Sequence, residues 1–414
     1  MTRPRKIGLL ATVAIAVGAW MAAPSSAGTI VFNTDTSDPK PKAAFEAVVQ
    51  KFQAENPDIT VKMNIYDHES YKSSIRNWLT SAPPDVALWY SGERMKQFVA
   101  PGLLEDVSSL FTADMKSQFA PKVLDTVTID GKQWGVPYSY YQWGIFARTD
   151  LLKKAGVVDI KTWDDLLAAC DKLNAAGVEP IDLGSKDLWP TAGWFDYIDL
   201  RLNGYDFHMQ LMAGKVSWED AKVRAVFAQW KQLLDHKCFV KNHTSLSWQE
   251  SQSLLYQGKA GMMLIGNFIT QGMPAEAAPN MGFYTFPTIA AGVADAEEAP
   301  MESIHIPAGA KNKADAMKFM AFMMRADTQA MVNDAEKQLP ANSTAKVNED
   351  RFLLAGAAQL NAATHLTQFL DRDTSEDLAT VAMKGFQEFM VKPERLDSVL
   401  AGIERARKRI YASN

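Results

Sequence analysis

The chain has 414 residues, 47% of them hydrophobic and 22% charged. That composition excludes a disordered or fibrous chain, and the length exceeds what one core usually serves, so two domains are expected. Its 48 acidic against 43 basic side chains exclude the basic footprint of a nucleic-acid binder.

In chain order, the first segment reads as an address. Arg3, Arg5 and Lys6 precede an apolar run from Ile7 to Ala23, and Pro24-Ser25-Ser26-Ala27 ends in small residues. This is the plan of a secretory signal peptide cut after about Ala27, and the run is short for a membrane span of about 20 residues. The remaining chain is expected outside the cytoplasm, in the periplasm, with no membrane insertion.

A β-α-β-α-β opening follows. Thr29 to Phe32 reads as a strand. A helix from Pro41 carries Phe45, Val48, Val49 and Phe52 at helical spacing until Asn56-Pro57 stops it. Ile59, Val61, Met63 and Ile65 alternate as in a half-buried strand, Tyr71 to Leu79 reads as a helix, and Asp85 to Leu88 as a third strand. Strands alternating with helices imply mainly parallel sheets covered on both faces.

Farther on, Thr162 and Asp165 form a capping-box pattern before a helix bearing Trp163, Leu166, Leu167, Cys170 and Leu173. Val223 to Leu234 reads as a helix and Gly261 to Ile265 as a buried strand. Met281 to Pro287 and Ser303 to Pro307 read as strands, and Lys313 to Val332 as one long helix. The chain from Asn342 is mainly helical, and Gly292 to Pro300 is expected to be a mobile loop. Two cysteines exclude a disulfide scaffold and a four-thiolate metal site; Cys170 and Cys238 fit either a bridge in an oxidising compartment or two buried thiols.

In an open parallel sheet, ligands sit beyond the carboxyl ends of the strands. The three exits here are Asn33-Thr34-Asp35, Tyr66-Asp67-His68 with Ser70 next, and Trp89-Tyr90-Ser91. Three aromatic clusters join them: Tyr138-Ser139-Tyr140-Tyr141-Gln142-Trp143, Trp189-Pro190-Thr191-Ala192-Gly193-Trp194, and Ser247-Trp248-Gln249-Glu250. Aromatic rings with Asn, Asp, Gln and Ser suit a sugar, whose C–H face lies on a ring while its hydroxyls need directed partners. Of the 11 tryptophans, Trp163 and Trp230 fall on apolar helix faces and read as core; Trp89 and Trp194, beside turn residues, read as site. Asp67 fits either a ligand contact or a helix cap. Arg372, in Asp371-Arg372-Asp373, fits either a solvated salt bridge or a guanidinium aimed at ligand oxygens. Arg405, Arg407, Lys408 and Arg409 complement a helix dipole.

No GxSxG, HExxH, Walker A or GxGxxG motif occurs. His236 and His243 are seven apart, which is not a helix-face chelate. No catalytic residue, metal or cofactor is expected. A carboxylate pair for glycoside hydrolysis has no specificity among 48 acids.

Six stretches resemble the extracellular solute-binding proteins of family 1, the sugar-binding proteins of ABC importers. They are ENPDITV (55–61), PPDVALWYSG (83–92), WGVPYSYYQWGIFARTDLLKKAGV (134–157), TWDDLLAACDKL (162–173), YQGKAGMMLIGNF (256–268) and SIHIPAGAKNKADAMKFMAFMM (303–324). The resemblance implies an α/β, two-lobed periplasmic-binding-protein fold, each lobe a mainly parallel sheet flanked by helices, with ligand in the cleft between them. It implies an N-lobe of 28–138 plus 267–325 and a C-lobe of 139–266 plus 326–414. It implies a monomer that takes a carbohydrate and delivers it to a membrane permease. Trp89 and Tyr90 match the third-strand exit that faces ligand in such proteins. Asn267-Phe268 match the crossing where relatives often carry an aromatic, here a Phe. The expected ligand set is Thr34, Asp67, His68, Ser70, Trp89, Tyr90, Tyr140, Gly193, Trp194, Trp248, Asn267, Phe268, His305 and Arg372. A secreted glycoside-active enzyme and a binding protein serving a chemoreceptor or sensor kinase are the rival expectations.

Overall fold

The computed structural model describes residues 1–2 and 28–411. The expected signal segment, with its cut after Ala27, lies outside the described residues, as does Trp20. The strands, in chain order, are β1 (Gly28–Thr34), β2 (Ile59–Ile65), β3 (Val86–Tyr90), β4 (Thr128–Ile129), β5 (Lys132–Gln133), β6 (Val136–Tyr140), β7 (Trp143–Arg148), β8 (Glu179–Asp182), β9 (Ala260–Gly266), β10 (Met281–Tyr284), β11 (Ala296–Glu298), β12 (Met301–His305), β13 (Leu339–Pro340) and β14 (His365–Thr367).

Local chemistry sets the first elements. Pro39 and Pro41 open the helix Pro39–Glu55, where a missing N–H costs nothing, and its buried face carries Phe45, Val48, Val49 and Phe52. Asn56 ends that helix, and β2 runs back beside β1 in parallel register. Asp67 caps the helix His68–Ser81 by accepting from the Ser70 amide at 3.1 Å. The Thr162–Asp165 capping box forms as expected at the start of the helix Trp163–Ala175.

Among the described residues two large sheets form, both mixed, beside the two-stranded pairs β11-β14 and β4-β5. One large sheet runs β13-β6-β12-β3-β1-β2, the other β10-β7-β9-β8. Strands β1, β2 and β3 are mutually parallel, but β12 enters antiparallel between β3 and β6, and β7 runs against both of its neighbours. The sheets depart from mainly parallel because strands that cross between lobes enter from the far side. Each large sheet has its own apolar core, one holding Phe32, Phe45 and Phe319, the other Phe195, Phe227 and Phe386.

The lobe boundaries differ from the expected ones. Residues after Asn267 stay on the second sheet, because β10 pairs with β7 over Met281–Arg148 to Tyr284–Ile145. The chain crosses between β6 and β7, later between β11 and β12, and once more after β13, since Phe352 packs in the second lobe's core. Helix Ala326–Glu336 and β13 belong to the first sheet, the helix on Pro39–Glu55 and the strand against β6. The expected single helix from Lys313 to Val332 is two, Lys313–Met323 and Ala326–Glu336, broken where Arg325 turns to extended backbone. The expected mobile loop at Gly292–Pro300 contains β11, whose Ala296, Glu297 and Glu298 are all buried. Glu297 is held by Arg201, Tyr197 and Gln359, so a charged sequence reads as a loop while an ion-paired network fixes it. Cys170 and Cys238 form a disulfide across 68 residues, which ties the helix Trp163–Ala175 to the segment following the helix Ala221–Asp235.

Candidate functional site

A cleft lies between the lobes and deepens into a cavity of about 150 Å³. One wall is polar and rises from the exits of the first sheet. His68 Nδ1 lies 2.6 Å from an Asp35 carboxylate oxygen, and the Tyr90 hydroxyl lies 3.3 Å from His68 Nε2. Burial works against a charge on His68, but the hydrogen bond and charge of Asp35 outweigh it and raise its pKa.

Glu302 sits opposite Tyr90 in the β12–β3 register. Its carboxylate is 2.9 Å from Arg372 Nη1. The Arg372 guanidinium stacks 3.9 Å above the Tyr90 ring and donates to the Tyr141 hydroxyl at 3.2 Å. Arg372 comes from the short helix Leu370–Asp373, so this group joins chain segments far apart in sequence. Burial raises the Glu302 pKa and Arg372 opposes that rise.

Glu336 closes the end of this wall. It is 4% exposed, and one of its carboxyl oxygens has no hydrogen-bond partner. Burial pushes its pKa well up, and the charges of Glu302 and Asp35 add to the effect. The next residue, Lys337, adopts a left-handed φ of 51°. The carbonyls of Glu336 and Lys337 accept from Gln271 and Asn267 of the other lobe, each at 2.6 Å.

The opposite wall is aromatic. Trp143 meets Phe369 edge to face at 4.1 Å and Trp189 at 6.0 Å. Phe268 meets Tyr141 at 5.5 Å and Trp248 at 5.1 Å, both edge to face. Each such contact adds about 0.5–1.5 kcal/mol beyond area burial, so the wall is stiff without any ion pair. Trp189, Trp248 and Phe268 are only half-buried, leaving ring surface for a ligand.

Of the expected ligand set, His68, Tyr90, Trp248, Phe268 and Arg372 line this cavity. The others take different places. The Thr34 hydroxyl is buried against Thr36, and Asp67 and Ser70 bond each other in a helix cap. Trp89 is 2% exposed and gives its N–H to the Arg94 carbonyl, since consecutive strand residues point to opposite faces and Tyr90 takes the cleft side. Tyr140 packs half-buried on the first lobe's core. Trp194 packs against Phe239 and Phe286, about a turn and a half along the helix from Trp189. Gly193 supports the site from behind: a Cβ there would come 2.8 Å from the Trp143 ring. Asn267 ties the lobes together as described. His305 is 1% exposed and bonds Ser303 and the Trp134 carbonyl.

Cavity residues outside the expected set are of two kinds. Asp35, Tyr141, Trp143, Trp189 and Gln249 lie inside the exits and clusters that the sequence marks, one or a few positions from the expected ones. Glu302, Glu336, Gln271 and Phe369 carry no local signal; only the β12–β3 register and the lobe crossings bring them in. Among the described residues no group of three His, Cys, Asp or Glu could hold a metal, and no helix is long and apolar enough to cross a membrane.

Residues 36–330 match the family described as bacterial extracellular solute-binding protein. An ABC transporter extracellular-binding protein of Pyrococcus horikoshii is 26% identical over 312 residues, covering 73% of this chain and 69% of that one. The crystal structure of the bacterial solute receptor AcbH, described with an exclusive preference for β-D-galactopyranose, superposes with a TM-score of 0.88 at 28% identity. That likeness covers 93% of this chain and 100% of that one. A chitin oligosaccharide binding protein superposes at 0.84, with 18% identity over 92% of this chain and 98% of its own, a likeness of fold.

Proposed function

The chain belongs to the bacterial extracellular solute-binding protein family, and from that premise we propose that it captures a neutral carbohydrate in its cleft and hands it to the membrane permease of an ABC importer. The observation that carries this reading is the pairing of an aromatic wall with a wall of carboxylates, hydroxyls and one guanidinium across a single cavity. Half-buried Trp and Phe faces suit the C–H surface of a sugar ring, and the polar wall suits its hydroxyls. The sugar preference described for AcbH supports the same ligand class.

Neutrality follows from the charges. Arg372 is already engaged by Glu302, Tyr90 and Tyr141, so it is not a free anchor for an anionic sugar. The cavity's cations His68, Lys72 and Arg372 each already face a carboxylate, of Asp35, Glu69 and Glu302, so none is free to anchor a uronate. The acceptor oxygens of the cavity's carboxylates suit hydroxyl donors.

The protein works by binding, not by chemistry. Ligand enters an open cleft, and the lobes close by hinge bending at the segments between β6 and β7, between β11 and β12 and after β13. Closure needs contacts that strengthen as the lobes approach, and Gln271 and Asn267, which bridge the lobes to the Glu336 and Lys337 carbonyls, are placed to supply them. The protein acts as a monomer in the periplasm after loss of the segment through Ala27. Calorimetry of the mature protein against neutral, amino and acidic sugars tests the reading. Binding of neutral sugars without release of reducing ends supports it; binding of none, or tighter binding of a uronate than of its parent hexose, overturns it.

A further inference from the structure

The short helix Leu370–Asp373 carries Asp371 and Arg372 to the cavity, with Phe369 just before it. The first lobe grips this helix from one side: Arg94 donates to the Asp371 carbonyl at 2.9 Å, and Glu302 pairs with Arg372. The second lobe holds it through a buried acid. Asp196, on the helix Pro190–Asn203, accepts the Leu370 N–H on Oδ2 at 2.8 Å. Asp196 does not line the cavity, yet it sets where the helix stands.

Asp196 has an acidic partner. Glu298 is the last residue of β11, where the chain leaves the second lobe for β12, and its carboxyl is hydrogen-bonded to that of Asp196. Both side chains are fully buried. Among the described residues no N–H or O–H reaches either Glu298 oxygen or Asp196 Oδ1. Two carboxylates have no donor between them, so such a contact exists only if one member keeps a proton. The charges facing the pair from the surrounding elements offer no substitute. Arg201 is taken by Glu297, and His208 by Asp199, whose carboxylate lies 3.0 Å from Nδ1. Asp199, Glu297 and Asp373 add negative charge around the pair, and His208 opposes them. Burial and the charge of Asp196 both raise the Glu298 pKa, so Glu298 is the member that keeps the proton.

We propose that Glu298 and Asp196 hold one proton between them and act as positioning residues for the ligand. The proton fixes Asp196, Asp196 fixes the helix Leu370–Asp373, and that helix presents Arg372 and Phe369 to the cleft. Losing the proton, or the group that carries it, frees the helix and weakens capture. The role of the pair does not depend on which solute fills the cleft.

Urea unfolding of the mature protein without ligand, from pH 5 to pH 8, tests the proton. An unfolded glutamate ionises near pH 4.3 or so, about its usual value, while folded Glu298 stays protonated. Its contribution to stability is therefore full below about pH 4.3 and declines as pH rises toward the folded pKa, by about tenfold in the folding equilibrium constant per pH unit. Glu298→Gln cannot ionise and keeps a donor toward Asp196, so it is expected to remove that tenfold dependence. The same dependence in both proteins overturns the proposal. Hydrogen exchange at pH 7 tests the fastening. In Glu298→Ala the segment 369–374 is expected to exchange at least tenfold faster than in the unmodified protein, and Glu298→Gln to recover the protection. Equal exchange in all of them overturns the proposal. Calorimetry with galactose reads the consequence: binding at least tenfold weaker in Glu298→Ala than in Glu298→Gln supports the positioning role, and equal binding overturns it. If galactose binds to no form, the carbohydrate reading is at fault, and unfolding and exchange decide here. If the alanine variant does not fold, the glutamine variant and its pH series decide.

Discussion

The two walls of the cleft are held in place by different physics. The polar wall is a set of charges that neutralise one another: Asp35 with His68, and Glu302 with Arg372 under the Tyr90 ring. The aromatic wall is a run of edge-to-face rings with no charge, backed by a lobe core that a disulfide ties together. The polar wall therefore fails when one member is removed, because its partner is left buried and unpaired. The aromatic wall loses contact area roughly in proportion to what is cut away. Directional selectivity belongs to the first wall and general attraction for sugar rings to the second.

The largest expected effect tests the polar wall. Arg372→Ala leaves Glu302 buried beside other acids, and breaking such a pair costs about 3–5 kcal/mol. Because Arg372 joins segments of the two lobes, the cost is expected to fall on the closed form. Affinity for every sugar would drop on the order of 100-fold or more, tenfold for each 1.4 kcal/mol. Unchanged affinity would show that the ion pair plays no part in closure. On the aromatic wall, Trp189→Ala is expected to weaken binding about 10- to 100-fold, within the range of a central aromatic contact, and to cost about 1–3 kcal/mol of stability through its lost ring contacts with Trp143, Trp248 and Phe268. A collapse of stability instead would make Trp189 a core residue and blur the contrast.

The same contrast explains what could be read from sequence. The aromatic wall was legible because its rings cluster locally, in 138–143, 189–194 and 247–250. Which member of each cluster faces the cleft was harder, since one step along a strand or part of a turn along a helix moves a ring into the core, as for Trp89 and Trp194. The polar wall was legible at the strand exits, where Asp35, His68 and Tyr90 lie, and at Arg372 in its Asp-Arg-Asp run. Glu302 and Glu336 look like ordinary surface acids in Met301–His305 and Ala326–Glu336, and only long-range pairing buries them. The lobe exchange was legible in outline, but its crossing points depend on β10 pairing with β7, a contact that no local pattern encodes.

A histidine behind the polar wall gives a pH test. Burial lowers the His305 pKa from 6.5 to about 4. Between these values the unfolded chain binds a proton that the folded protein does not, so stability is lost as pH falls from about 6.5 to 4 and is full above 6.5. One such proton contributes a slope of about 1.4 kcal/mol per pH unit. His305→Gln is expected to flatten the pH dependence of stability in this window by that amount, measured by urea unfolding at several pH values. An unaltered slope would mean that His305 protonates as readily in the fold as outside it.

The smallest effect concerns the rim, where charges cross between lobes in open water. Arg94 is buried, donates to the Asp371 carbonyl at 2.9 Å and lies 3.6 Å from Glu376. Arg76 approaches the same Glu376 at 3.9 Å, but both side chains of that pair are substantially exposed, at 53% and 40%. Such a pair is worth about 0.2–1 kcal/mol and weakens further with salt. Arg76→Ala is therefore expected to change sugar affinity less than about fivefold at low salt, and not measurably in 0.5 M sodium chloride, where the screening length is a few ångströms. A larger effect that persists in high salt would give the rim a share in closure, and the division between a charge-locked inner wall and a passive edge would fail there.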